Sequence, residues 1–102
     1  KTSVTANRTL SGADFARNRI LQFNGTDLVA TVPSTVPTVD APANIVNISD
    51  THISVVKQNS SHNLISRESM THISPGGMAS VVYLGEVASV PTYFLWGDLT
   101  VI

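Results

Sequence analysis

Three histidines recur at ten-residue intervals, His52, His62 and His72, and they are the first residues in this 102-residue chain whose type could do chemistry. Imidazole binds transition metals, and one histidine per subunit can suffice where copies meet on a symmetry axis. A closed site within one chain needs several ligands in defined geometry. No His-x-His or His-x-x-x-His pair is present, and Asp50 beside His52 is the only carboxylate within two residues of any of them. The spacing predicts no metal site and no cofactor. A Ser-His-Asp set can be drawn through the abundant serines, but no Gly-x-Ser-x-Gly elbow exists to strain a nucleophile into place. The 7 carboxylates are scattered, and Arg67-Glu68 is the only adjacent charged pair. Glycoside hydrolysis needs two carboxyls facing each other across a cleft. Gly76-Gly77 is followed by neither Lys-Ser/Thr nor a helix, so it is a turn and not a phosphate loop. The chain reads as a protein that is not an enzyme.

Residues suited to binding are more numerous. The polar stretch Gln58–Asn63 is a loop tip, and loops carry specificity. Gln58, Asn59, His62 and Asn63 are candidate ligand contacts there. Tyr93, Phe94 and Trp96 form an aromatic group near the end of the chain. Aromatic rings anchor interfaces and stack on sugars. In a strand Phe94 and Trp96 share one face and Tyr93 takes the other. With 6 aromatics in all, Phe94 and Trp96 are assigned to the core, and Tyr93 joins the binding candidates. Val36, Pro37 and Val39, in a proline-rich loop, are candidate interface residues. Asn-x-Ser/Thr sequons stand at Asn7, Asn24, Asn47 and Asn59. In a chain so rich in serine and threonine they are read as unglycosylated.

Composition narrows the partners. Charged residues make up 13% of the chain and the formal net charge is −1. Soluble domains typically carry about 25% charge, so this surface suits a protein packed against others. The 6 lysines and arginines never cluster, which argues against nucleic acid and against an anionic membrane surface. No apolar run approaches the roughly 18 residues of a membrane-spanning helix. Cysteine is absent, removing disulfides and thiolate chemistry.

The elements that must position these residues are short strands, because Val, Ile, Thr and Ser dominate and turn residues punctuate the apolar runs. Ser3–Asn7 and Thr9–Ser11 are edge segments, and 13–18 is the one helical turn, with Ser11 or Asp14 as its cap. Arg19–Phe23 and Leu28–Val32 are the arms of a hairpin about Asn24-Gly25. Pro33–Pro42 is a crossover. Asn44–Ile48 and His52–Lys57 pair through Ser49-Asp50. Leu64–Ser66 and Thr71–Ile73 flank an irregular Arg67–Ser69. Met78–Leu84 follows the Ser74–Gly77 turn, 85–91 is a loop, and Tyr93–Trp96 and Leu99–Ile102 close a single domain. The expected core is Ile20, Phe23, Val29, Ile45, Ile53, Val55, Val81, Phe94, Trp96 and Leu99.

The succession "FNG", "TVP", "IVNIS", "HISVV", "SPGGMASVVYL" and "YFLWGDLT" resembles the small β-sandwich modules of bacteriophage virion proteins, in tail fibres and capsid decoration proteins. The likeness rests on the Pro75-Gly76 turn before a strand and on Trp96-Gly97 in an aromatic-rich final strand. It implies an all-β fold, an antiparallel β-sandwich or flattened barrel of about seven to nine strands. It further implies a homotrimer contacting a major capsid protein or another virion protein. The expected function is that of a decoration (cement) protein, with a receptor- or glycan-binding fibre tip as the alternative. The chain lacks the low-complexity or coiled-coil stem of a complete fibre.

Overall fold

Ala43–Asn47 alternates buried and half-buried positions residue by residue, the period-two signature of a strand with one face in a core. The same alternation builds most of the molecule. The computed structural model describes residues 1–38 and 40–101, so Val39 and Ile102 lie outside the described residues. The strands are β1 (Thr2–Val4), β2 (Arg8–Thr9), β3 (Ile20–Phe23), β4 (Val29–Val32), β5 (Ala43–Asn47), β6 (Ile53–Lys57), β7 (Asn63–Ser66), β8 (His72–Ile73), β9 (Met78–Val87), β10 (Val90–Gly97) and β11 (Leu99–Thr100). The helical turn shrinks to a 3-10 turn at Gly12–Asp14, and a second one occupies Arg67–Ser69.

The strands form two sheets, one of six strands ordered β1-β3-β5-β9-β10-β7 and one of five ordered β11-β8-β6-β4-β2. Both are mixed, not antiparallel. β3 pairs parallel with β1 and β5, and β4 pairs parallel with β2 and β6. The chain therefore steps from one sheet to the other at each turn from β1 to β6. Neither expected hairpin forms: β3 and β4 lie in different sheets, as do β5 and β6. A two-residue hairpin needs positive φ at both central residues. Here the left-handed residue of the connection is Asp27 (φ 52) instead of Asn24 or Gly25. Leu28, 6% exposed, is drawn into the core and carries the chain across.

The two connections then stack as arcs. Asn24 donates its backbone N–H to Val4 O, and Ile48 donates to Phe23 O. Asp27 N–H donates to Thr51 Oγ1, which itself donates to Gly25 O. Asn47 fastens the arc end. Its Nδ2 donates to the carbonyls of Thr51, Ile73 and Ser74, and its Oδ1 accepts from the Ser49 N–H and hydroxyl. With the side chain fully buried and every amide group engaged, the Asn47 sequon has no place for a glycan in the folded protein. Replacing Asn47 by alanine is expected to cost about 3 kcal/mol, because buried backbone carbonyls lose their donor. Urea denaturation checks this.

The core draws inward residues from both sheets. Phe23, Ile45, Ile53, Val55 and Val81 are buried in it as expected. Val29 and Leu99 are half-buried and Ile20 is 37% exposed. The largest departure is in β10. The register shift between Thr92 and Tyr93 comes from β9, where Leu84 has no partner beside Gly85 (φ 90), and β10 itself alternates regularly from Tyr93 onward. Tyr93 and Leu95 are fully buried, whereas Phe94 is half-buried and Trp96 is 54% exposed. Segment 85–91 is also strand for most of its length. β9 runs to Val87, and β10 begins at Val90 after a two-residue turn in which Ala88 and Ser89 hold φ of 51 and 66.

Candidate functional site

Alternation along β10 puts Tyr93 and Leu95 into the core and Phe94 and Trp96 on the outer face of the six-stranded sheet, and this outer pair creates the site. Cross-strand register fixes their neighbours. Phe94 lies between Ile65 of β7 and Val82 of β9, and Trp96 lies opposite Ser80. Ser80 in turn faces Asn44, to whose Oδ1 its hydroxyl donates at 2.8 Å. Met78 faces Val46 one row further along. Trp96 at 54%, Met78 at 46% and Ile65 at 45% exposure make this an apolar surface with nothing over it among the described residues.

Trp96 stands as a ridge between two clefts. One, of about 570 Å³, is lined by Ser66, Arg67, Met70, Phe94, Trp96, Gly97, Asp98 and Leu99. The other, of about 390 Å³, runs along Pro42, Asn44, Met78, Ala79 and Ser80 and shares Trp96, Gly97 and Asp98. Gly97 holds the ridge in place. Its φ is +133, and a Cβ there would sit 2.4 Å from Met78 O and 2.6 Å from Ala79 Cα, so only glycine lets β10 run this close to β9. Asp98 then locks the end. Its N–H donates to Met78 O, and its Oδ2 accepts from Met78 N–H at 3.0 Å.

The loop and tyrosine candidates fare differently. Gln58 is exposed and its Oε1 accepts from the Ser34 N–H and hydroxyl. Asn59 is exposed in a tight turn with Ser61, and Asn63 is exposed on β7. His62 is no surface residue. It is fully buried, and its Nε2 lies 3.1 Å from Val32 O. Tyr93 is equally corrected. Its ring packs against Phe15, His62 and Tyr83 at centroid distances of 6.1, 5.7 and 5.2 Å. Its hydroxyl donates to Thr35 O at 3.2 Å. Burial, and after it neighbouring Tyr83, pushes the phenol up to about 12, so it remains a neutral donor at physiological pH. A large aromatic whose hydroxyl has an acceptor inside belongs in a core, which is why Tyr93 and not Trp96 was drawn in. The structure thus separates the loop candidates from the aromatic one. In the proline-rich loop Val36 is 40% exposed, and Pro37 is buried and lines a small cleft with Tyr83.

Arg67 and Met70 carry no sequence motif, and the sequence gives no reason to choose them. The one available signal for this face is that Phe94 and Trp96 alternate with the equally apolar Tyr93 and Leu95. A strand apolar on both faces is the mark of a strand covered on both sides.

A separate ionisable cluster lies around Asp14, whose side chain is fully buried. Arg8 donates to both its oxygens, at 3.1 and 2.8 Å, Ser11 N–H donates at 3.0 Å, and Arg19 lies 3.4 Å away. Burial alone would raise the Asp14 carboxyl. The Arg8 hydrogen bonds, the Ser11 amide and the charges of Arg8 and Arg19 outweigh it and hold the group below the ordinary carboxylate value. Both oxygens are engaged, so the cluster is a clamp and offers no free base. Among the described residues no three His, Asp or Glu side chains gather as a metal site, and no helix is long and apolar enough to cross a membrane. Comparison with family models, with curated proteins and with solved structures finds no match to this chain.

Proposed function

We propose that the protein is a structural module that docks on neighbouring protein subunits through the Trp96 face, acting as a trimeric decoration protein on a virion head. The exposed apolar surface around Trp96, Met78, Ile65 and Phe94 carries the reading. It occurs in a chain with 13% charged residues, where little else on the surface favours remaining alone in water. Tryptophan is the residue most enriched among interface hot spots, and its indole here is already presented between two clefts. Threefold repetition of one such contact multiplies avidity without any new interaction. The fibre-tip alternative loses two of its candidate contacts, one loop residue and one strand residue, because His62 and Tyr93 are buried.

Two measurements test this. Light scattering coupled to size exclusion reports whether the mass is near three times 10.8 kDa. Mixing with expanded capsids that lack their decoration protein reports docking, and failure to co-sediment sinks the proposal. Trp96→Ala is expected to weaken docking about 30-fold, a hot-spot loss of about 2 kcal/mol. It should shift folding stability by no more than about 1 kcal/mol, because half of the side chain is already in water.

A further inference from the structure

We infer that β7 is a strand-addition site, taking an extended segment of the partner protein whose carboxylate pairs with Arg67. This rests on the docking reading above and specifies what the partner contributes. The sheets end in four edge strands, β1, β7, β11 and β2. β7 has 4 residues, against 3 in β1 and 2 in each of the others. Protein edges are normally guarded by lysine, proline, a bulge or a cover. Asn63–Ser66 contains neither lysine nor proline, and Ile65 on its outer side is 45% exposed. Among the described residues its backbone bonds only to β10. Since successive residues of a strand aim their N–H and C=O groups to opposite sides, half of these groups face outward unpaired.

The strand also leads somewhere. Its last residue, Ser66, pairs with Leu95 and is the first wall of the larger cleft. Beyond it the chain swings away through Glu68 and Ser69, which hold φ of 53 and 58. β10 continues to Gly97, leaving an open slot in the line of β7, over Phe94 and Trp96. Arg67 flanks this slot, exposed and without an ion-pair partner among the described residues. A guanidinium presents a rigid fork that matches a carboxylate. An incoming strand would pair its main chain with the outer edge of β7, turn an apolar side chain into this slot toward Trp96 where it runs past Ser66, and set an Asp, Glu or terminal carboxylate on Arg67. Main-chain pairing supplies affinity in this mode, and the cleft and the charge supply selectivity.

The test pans a random 12-residue peptide display library against the intact protein. Enriched sequences should alternate apolar or β-branched residues and carry Asp or Glu. A synthetic peptide of that consensus should change the fluorescence of Trp96, the single tryptophan of the chain, and slow amide exchange at Asn63–Ser66. Arg67→Glu should weaken it at least 10-fold, and N-methylation of alternate peptide nitrogens should do the same. The inference is overturned if no peptide is enriched, if the bound peptide leaves those amides unprotected, or if Arg67→Glu changes nothing. Oligosaccharides that alter Trp96 fluorescence where peptides do not would assign the cleft to sugar and also overturn it. Capsid docking that survives Arg67→Glu but not Trp96→Ala would reject strand addition alone and leave the docking reading standing.

Discussion

Replacing Gly97 by alanine is expected to destabilise the protein by about 4 kcal/mol. Two costs combine. A φ of +133 lies in backbone territory that is nearly glycine-only, worth about 1–3 kcal/mol of strain for any other residue. The new Cβ would also meet backbone atoms, Met78 O at 2.4 Å and Ala79 Cα at 2.6 Å. Backbone in a paired strand cannot step aside as a flexible side chain can, and forced overpacking costs about 1–3 kcal/mol more. Gly76 is the control. Its φ is +76, but nothing lies within 4 Å of a Cβ there, so Gly76→Ala should cost only about 1–2 kcal/mol. Urea denaturation of the two variants side by side decides the matter. Equal midpoints would mean that β9 and β10 can separate freely at this point.

Asp14→Asn is the second large effect. The substitution keeps the volume but removes the charge that faces Arg8 and Arg19. Deleting one partner of a buried ion pair leaves the other uncompensated, at about 3–5 kcal/mol, and the half-exposed arginines place this case near the lower figure. The pH dependence carries a definite sign. The folded Asp14 carboxyl titrates below its ordinary value, so the folded state releases the proton more readily than the unfolded chain. Its stabilisation is complete above the unfolded value, about 3.9, and disappears as pH falls through the lower folded value. The wild-type urea midpoint should therefore drop below about pH 4. In Asp14→Asn this part of the acid limb should be absent, and the two curves should converge at low pH. Curves that stay parallel down to the acid transition would show that Arg8 and Arg19 do not favour the charged form.

Both variants involve residues whose importance was only partly visible in the sequence. Strand positions were legible because prolines, Asn-Gly and Gly-Gly mark their ends and because apolar residues alternate, as in Ile53 and Val55. Strand partners were not. Asn24-Gly25 has the composition of a hairpin, yet Asp27 takes the left-handed conformation and the chain crosses to the other sheet. Local sequence says that the chain turns, and only the stacking of one arc on another says where it goes. The β10 face was lost for a related reason. Alternation along Tyr93–Trp96 says that Phe94 and Trp96 share a face but not which face is inside, and the extra residue that shifts the register here, Leu84, lies in the partner strand β9 beside Gly85 (φ 90). The turn at Ala88-Ser89 was equally silent, since neither residue type favours positive φ. Trp96 was singled out by type but placed inside. Arg67 became a candidate only when the geometry set it beside the indole.

The stepping of the chain between sheets governs how the molecule must fold. Thr2 pairs with Leu21, Ile20 with Asn44 and Val29 with Ser54, so each of these three parallel ladders closes a loop of roughly twenty residues before any bond rewards it. Among the described residues only β9 and β10 are neighbours across a tight turn, and that hairpin is the natural nucleus. β5 docks on β9, and β3 and β1 follow outward from it in the same sheet. Within the six-stranded sheet, growth outward from that hairpin runs backwards along the chain, to the N-terminal strand. In a nascent chain emerging amino end first, β5 waits for its antiparallel partner β9 until residues 78–87 arrive, whereas the β2-β4-β6 ladder needs nothing beyond Lys57. Refolding on the millisecond-to-second scale of nonlocal β-proteins follows, with the Trp96 face complete before β1 is in place.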